Sequence, residues 1–541
     1  MGWMQDETGL DRGPANFVPL TPLSHLNRAA LIWPEREALV HGDIRIDYRT
    51  YRDRVTRQAA MLAGLGVAPG DVVATLLPNV PAQVEASFGV PACGGVLNTI
   101  NTRLDVDTVA YILGHGGAVV LLVDTAFLDL AEAACATLDT PPKILEVPDT
   151  GFQPSGRHPL YEDLLAGADP DFAWHMPADE WESLSLNYTS GTTGRPKGVV
   201  YHHRGAYLMT MGTVISWRMV LYPRLLVVVP LFHCNGWCHS WMMPVVGGTV
   251  VCLRDVTAKG IFDALADEGV THFGGAPIVL NTLVNAPEAE RRPFDQAVEV
   301  YTAGAPPPAA TLGRMEALGF NVTHVYGLTE TYGHVVENVW QPGPWDDAAP
   351  DERASLKARQ GVAYPMMEGV GVFDDDGAPV PPDGTTQGEV AMRGNAVMKG
   401  YLKDPEATAG AFRDGWFRSG DIAVVEPDGY LRIADRAKDI IISGGENVSS
   451  VEVEGVLMHH DAVSLCAVVA APDDKWGEVP HAFVELRDGA EATGDELIAF
   501  ARDRLAGFKT PKRVTFGTLP KTSTGKIQKF VLRDRARAGA A

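Results

Sequence analysis

Tyr188-Thr-Ser-Gly-Thr-Thr-Gly-Arg-Pro-Lys-Gly198 packs four aliphatic hydroxyls, three glycines and a lysine into eleven positions, directly after a strand-like segment. Glycines let a backbone wrap closely around a ligand and present its N–H groups. Thr189, Ser190, Thr192 and Thr193 add hydroxyl donors, Gly191 and Gly194 add turns, and Lys197 adds a positive charge. A polyphosphate is the ligand such a loop suits. It is not a P-loop, which needs Gly-Lys-Ser/Thr running into a helix. Here Pro196 precedes the lysine and Gly198 follows it.

Outward from this loop the chain alternates helix-like and strand-like segments. Tyr51–Leu65 has apolar residues at helical spacing, followed by a Gly-Val-Ala-Pro-Gly turn and a strand over Val72–Leu77. The pattern recurs with a helix from Pro81, a strand near Val119–Val123, a helix from Phe127, a strand near Leu225–Val229, a helix from Lys259 and a strand near His272. Such alternation predicts layered α/β structure with largely parallel sheets. Between residues 365 and 434 short strands and Asp-Gly turns dominate (Asp376-Gly377, Pro382-Asp383-Gly384, Pro427-Asp428-Gly429), which reads as a β-rich subdomain. A charged cluster at Asp435–Asp439 then precedes about a hundred residues with helix and strand signals of their own. The expected division is a large α/β domain over 1–434, a connector at 435–438 and a small α+β domain over 439–541.

Bulk properties narrow the function. At 541 residues the chain is too long for one hydrophobic core. A net charge of −23 argues against a nucleic-acid partner, which calls for a basic face. Apolar runs such as Leu225–Val229 fall far short of the ~20 residues a membrane helix needs. Six cysteines are too sparse for a disulfide scaffold, and neither terminus shows a targeting motif, so the expected location is the cytoplasm.

Further motifs lie along the chain in a fixed order. After the Thr189–Lys197 loop come Ala303-Gly304-Ala305-Pro306, Tyr326-Gly327-Leu328-Thr329-Glu330, Phe417-Arg-Ser-Gly-Asp421, Asp435-Arg436-Ala-Lys438-Asp439, Ser443-Gly444-Gly445-Glu446 and Pro520-Lys-Thr-Ser-Thr-Gly-Lys526. This series resembles the signatures of the adenylate-forming superfamily, in which acyl-CoA synthetases, peptide-synthetase adenylation domains and beetle luciferase belong. The resemblance implies two steps. A carboxylate attacks the α-phosphorus of ATP to give acyl-AMP and pyrophosphate. The thiol of coenzyme A then displaces AMP.

By that resemblance Lys526 is the central catalytic lysine. An isolated lysine near a C-terminus is ordinarily a solubilising charge, and the Ser-Thr-Gly-Lys context sets this one apart. The resemblance makes Thr189 and Glu330 the Mg²⁺ contacts; Mg²⁺ takes oxygen ligands and keeps several waters, so few protein groups are needed. Thr329 is expected on the α-phosphate, Gly304, Ala305, Pro306, Tyr326 and Gly327 around adenine, and Asp421 on the ribose diol. Arg436 and Lys438 are expected near ribose and phosphates. Ser443, Gly444 and Gly445 are expected along the path of coenzyme A, after the small domain swings about its hinge. Two departures stand out: the hinge motif more often opens Gly-Arg, and the ribose motif more often reads Tyr-Arg/Lys-Thr-Gly-Asp.

In related acyl-CoA synthetases a histidine at the place of His233 lies beside the reacting carboxylate, and a tryptophan at the place of Trp237 gates the acyl tunnel. Gly304 and Gly333 fall in the same expected pocket. His233, Cys234, Cys238 and His239 also offer zinc-type ligands, but all four crowd into seven residues, unlike the paired segments of structural zinc sites. Small buried cysteines are the better reading. The expected activity is an AMP-forming acid–CoA ligase acting on a short- or medium-chain fatty acid or substituted propionate. An aryl-acid ligase and a carrier-loading adenylation enzyme remain as alternatives. Homodimers are common among such enzymes, and nothing in this chain requires one.

Overall fold

The fold comes from a computed structural model that describes residues 8–189, 195–304, 307, 309–436, 439–443, 446–473, 476–521 and 527–539. Four sheets form among the described residues. The largest has nine strands. Six of them run parallel, in the spatial order Phe320–Tyr326, Val298–Thr302, His272–Gly275, Arg224–Val227, Thr249–Cys252 and Glu37–His41. Antiparallel strands close both edges, Val336–Glu337 with Val362–Ala363 on one side and Ile44–Asp47 on the other. The second sheet has seven strands, five of them parallel. Its antiparallel edge is Ser183–Tyr188 against Gly198–His202, extended by Gly400–Tyr401.

The predicted alternation holds closely. Helices run over Tyr48–Gly64, Pro81–Ala92, Leu128–Cys135 and Ala258–Glu268, and strands over Val72–Leu76, Ala118–Asp124 and His272–Gly275. The strand expected near Leu225–Val229 ends at Val227, with Pro230 following soon after. Asp47 starts the Tyr48–Gly64 helix by accepting from Thr50 N–H at 2.7 Å. Pro81 opens the next at a position where its missing N–H costs nothing. That helix buries 11 of its 12 residues, so it lies within the core rather than on a surface.

The buried helix carries a charge, Glu85, which has no exposed surface. Arg54 pairs with it at 2.5 and 3.2 Å, and the Tyr161 hydroxyl donates to it at 2.7 Å. Removing the cation strands a buried carboxylate, which costs far more than the pair contributes. Arg54→Met is expected to lower unfolding stability by about 3 kcal/mol. The urea midpoint checks this, and a shift worth under about 1 kcal/mol would contradict it.

The β-rich region is also as expected. Met367–Phe373, Gly388–Gly394, Trp416–Val425, Phe412–Arg413 and Leu431–Arg436 form an antiparallel sheet. A further five-stranded sheet follows in the smaller C-terminal domain. It is built on the long pair Val463–Asp473 and Gly477–Leu486, with helices Ser450–Leu457, Gly494–Arg502 and Lys529–Ala538 around it. No helix among the described residues is long and apolar enough to cross a membrane. All six cysteines are buried and unpaired with one another, including Cys234 and Cys238.

Candidate active site

Open parallel sheets bind ligands beyond the carboxyl ends of their strands. Three neighbouring strands of the nine-stranded sheet end at Gly275, Thr302 and Tyr326, and the adenine and phosphate motifs follow the latter two ends. Tyr326 is the last residue of its strand, and its hydroxyl donates to Asp421 Oδ2 at 2.7 Å. The expected adenine and ribose residues are thus brought together from separate sheets. Asp421 lies directly opposite Arg436 in the antiparallel register, which places the Arg436 backbone beside the same carboxylate-bearing residue. Gly304 has φ +95°, a conformation other residues rarely adopt. At Gly327 a Cβ would sit 2.0 Å from the Gly333 carbonyl oxygen, so only glycine lets these two segments cross.

The phosphate loop is held at its base by the hairpin pairing of Tyr188 with Gly198 and by Thr189 N–H donating to the Lys197 carbonyl at 3.0 Å. Lys197 Nζ stands 4.8 Å from the ring centre of Tyr401. The Tyr401 hydroxyl in turn donates to Glu330 Oε1 at 2.8 Å. Burial, then the neighbouring Glu330 carboxylate, raises the Tyr401 phenol above its ordinary pKa, so it stays a donor. One tyrosine therefore ties the loop's lysine to the expected metal carboxylate. Tyr401 was not among the expected site residues. Its only sequence signal is a short Gly-Tyr segment about 200 positions from the loop it joins.

Thr329 and Glu330 sit in a single turn after that strand, fixed by the Tyr201 hydroxyl donating to the Thr329 carbonyl at 2.6 Å. Cys234 Sγ lies 3.5 Å from Thr329 Oγ1. Burial pushes the Cys234 thiol up, but His233, Thr329 and Tyr201 outweigh it and hold the thiol below its ordinary value.

Cys234, Asn235, Gly236, Trp237 and Cys238 all have φ between 49° and 63°, a complete left-handed turn. Such backbone costs an L-residue roughly 1–2 kcal/mol per position, so the surroundings must enforce it. Asn235 and the Ser185 hydroxyl hydrogen-bond each other at 2.9 Å, and Ser185 also donates to the Leu97 carbonyl at 3.0 Å. Cys238 Sγ reaches the Tyr332 carbonyl at 3.6 Å. The turn lays Trp237 against two glycines. A Cβ on Gly274 would stand 2.7 Å from the indole, and one on Gly333 would stand 3.1 Å from it. Trp237 and Gly333 are therefore neighbours.

Ser443 ends its strand, buried, opposite Glu446 and Gly477. Asp435 is also buried, and its Oδ2 accepts from Ser450 N–H at 2.6 Å, at the start of a helix in the small domain. Ser190, Gly191, Thr192, Thr193, Gly194, Ala305, Pro306, Lys438, Gly444, Gly445, Lys526 and the Arg436 side chain lie outside the described residues.

Residues 26–402 match the model of the AMP-binding enzyme family, and residues 452–526 match that of the AMP-binding enzyme C-terminal domain. The chain belongs to the AMP-binding enzyme family. It is 47% identical to an acetate/butyrate–CoA ligase of Arabidopsis thaliana, named as peroxisomal, over 98% of this chain and 97% of that one. It is 47% identical to a 2-methylpropanoate–CoA ligase of Humulus lupulus, over 97% of this chain and 96% of that one. Among solved structures it superposes on an anthranilate CoA ligase in complex with anthranoyl-AMP with a TM-score of 0.85. That match has 26% identity and covers 98% of this chain and all of that one.

Proposed function

We propose that this chain is an AMP-forming carboxylate:CoA ligase whose substrate is a short aliphatic acid. The carrying observation is the convergence at the strand ends. The Tyr326–Asp421 pair and the Lys197–Tyr401–Glu330 chain stand there, and the Trp237 turn touches Thr329 through Cys234. Relatives named for acetate, butyrate and 2-methylpropanoate support the short-acid reading. So does Trp237, which fills the slot between Gly274 and Gly333.

In this reading Asp421 accepts from the ribose hydroxyls and Tyr326 flanks adenine. The loop from Thr189 to Lys197 surrounds the phosphates, and Thr329 donates to the α-phosphate. Lys526 bridges the acyl carboxylate and the α-phosphate as their charges approach, which is catalysis by positioning and charge neutralisation. His233 orients the carboxylate. The hydroxyl of Thr189 and the carboxylate of Glu330 are hard oxygen donors of the kind Mg²⁺ takes, and the ion would offset phosphate charge there.

The connector at 435–438 would be the hinge between a domain over 1–434 and one over 439–541. Reorienting the small domain would exchange Lys526 for the loop at Ser443, Gly444 and Gly445, which lines the approach of coenzyme A. One site would then run both reactions with acyl-AMP shielded from water. The proposed compartment is the cytoplasm, where thiols stay reduced. Fractionation against a peroxisomal marker checks this.

The test is AMP release by the purified protein with ATP and Mg²⁺ over a panel of C2–C16, branched, thioether and aryl acids, each with and without coenzyme A. Rapid release with short aliphatic acids only when coenzyme A is present is the expected result. Pyrophosphate exchange without any response to coenzyme A would mean a carrier protein is the acceptor. A preference for aryl acids would overturn the short-acid assignment.

A further inference from the structure

The left-handed turn has two ends with different neighbours. Cys234 touches Thr329 on the nucleotide side. Trp237 meets two imidazoles on its other side, edge-on to His334 at 5.0 Å and to His239 at 5.9 Å between ring centres. The two imidazoles lie 6.4 Å apart. Both residues are at least 96% buried. Neither His239 Nε2 nor either ring nitrogen of His334 has a hydrogen-bond partner among the described residues. Buried polar atoms in folded proteins are almost always paired, with protein, ordered water or ligand. Three unpaired nitrogens grouped behind one indole therefore call for an explanation.

Their surroundings exclude a cationic role. Burial holds His334 to about 3 and, helped by His334 and His272, holds His239 well below its ordinary value, so both rings are neutral near pH 7. A neutral imidazole carries one N–H donor and one acceptor nitrogen. Aromatic rings pack against both imidazoles, Tyr364 5.3 Å from His334 and Trp217 5.3 Å from His239 between ring centres. Tyr301 packs edge-on to His334 at 5.3 Å, and its hydroxyl donates to the buried Glu337 at 3.1 Å. With the indole moved or cut back, an alkyl chain in the vacated space would leave the nitrogens unpaired. A hydroxyl would donate to one nitrogen and accept from another.

We propose that His239 and His334 form a polar distal subsite behind Trp237, which accepts an acid bearing a hydroxyl at its far end in preference to a plain alkyl acid of the same length. The inference rests on the ligase reading and specifies the substrate class of that same pocket. Trp237 covers the subsite, so acetate and butyrate do not reach it, and longer acids enter only when the indole moves or is cut back. His239 and His334 are specificity-determining residues in this proposal; they touch the tail of the substrate, not its reacting atoms.

The experiment compares hexanoate with 5-hydroxypentanoate, which have the same number of heavy atoms, by coenzyme A-dependent AMP release. In Trp237→Ala, kcat/KM for the hydroxy acid is expected to exceed that for hexanoate by about tenfold. Adding His334→Leu should bring the ratio to about one or below. Hexanoate preferred in Trp237→Ala, neither acid accepted while acetate still is, or a ratio indifferent to His334→Leu would each overturn the proposal. If Trp237→Ala is inactive with every acid, the same ratios in Trp237→Phe, which keeps an aromatic ring in the slot, decide it by the same criteria. Failure of the ligase reading looks different: the unmodified protein then releases no AMP with any acid, including acetate and butyrate.

Discussion

Lys526→Ala is expected to cut ATP-dependent formation of acyl-AMP by about a hundredfold or more, while transfer from preformed acyl-AMP to coenzyme A survives. The first half-reaction brings a carboxylate to a polyphosphate, so a fixed ammonium is worth most as those charges meet. In the second, a thiol attacks an already activated acyl group, and the same charge has little to do. Lys521 and Ile527 pair across an antiparallel bridge. Lys521 Nζ also lies 3.0 Å from Glu485, which accepts Leu519 N–H at 2.5 Å. Single-turnover measurement of each half-reaction separates the cases. Equal loss in both would mean that Lys526 serves the fold or the domain arrangement instead of the adenylation step.

The layered α/β architecture was legible because its signals are local. Helical spacing over Tyr51–Leu65, Pro81 at a helix start and the apolar run Val72–Leu77 each state their element within a few residues. The candidate phosphate loop stands out in the sequence for a related reason: a loop suited to wrapping phosphates carries its glycines and hydroxyls in one contiguous string. What escaped is what depends on long-range placement. Nothing in His-Cys-Asn-Gly-Trp-Cys announces five successive left-handed residues, since one glycine among them is ordinary. The conformation is set by Ser185, 50 positions away in sequence, and by Tyr332, 94 away. Tyr401 was invisible on the same ground, as was the meeting of His239 with His334. In each case the partner is supplied by a sheet or a packing contact that no sequence window contains.

The second large effect concerns Glu330. Glu330→Gln keeps the side chain's volume and removes its charge, and adenylation is expected to fall by about a hundredfold. The concentration of Mg²⁺ giving half-maximal rate should rise in the same variant, because an amide oxygen is a weaker donor to a hard cation than a carboxylate. Tyr401 offers the control. Tyr401→Phe keeps the ring under Lys197 and deletes only the hydroxyl that donates to Glu330 at 2.8 Å. Losing one hydrogen bond to a charged acceptor is worth about 1.5–3 kcal/mol, so roughly a tenfold to hundredfold loss is the ceiling if the bond orients Glu330 for catalysis. A double variant then decides whether the two act as a unit. If Tyr401 works only through Glu330, Tyr401→Phe should cost almost nothing once Glu330→Gln is present, because effects on coupled groups do not add. Additive losses would show that the Tyr401 hydroxyl acts on something other than Glu330. Glu330→Gln within about threefold of the parent rate would remove Glu330 from the catalytic group altogether, since a carboxylate that holds the Mg²⁺ expected to offset phosphate charge cannot be neutralised so cheaply.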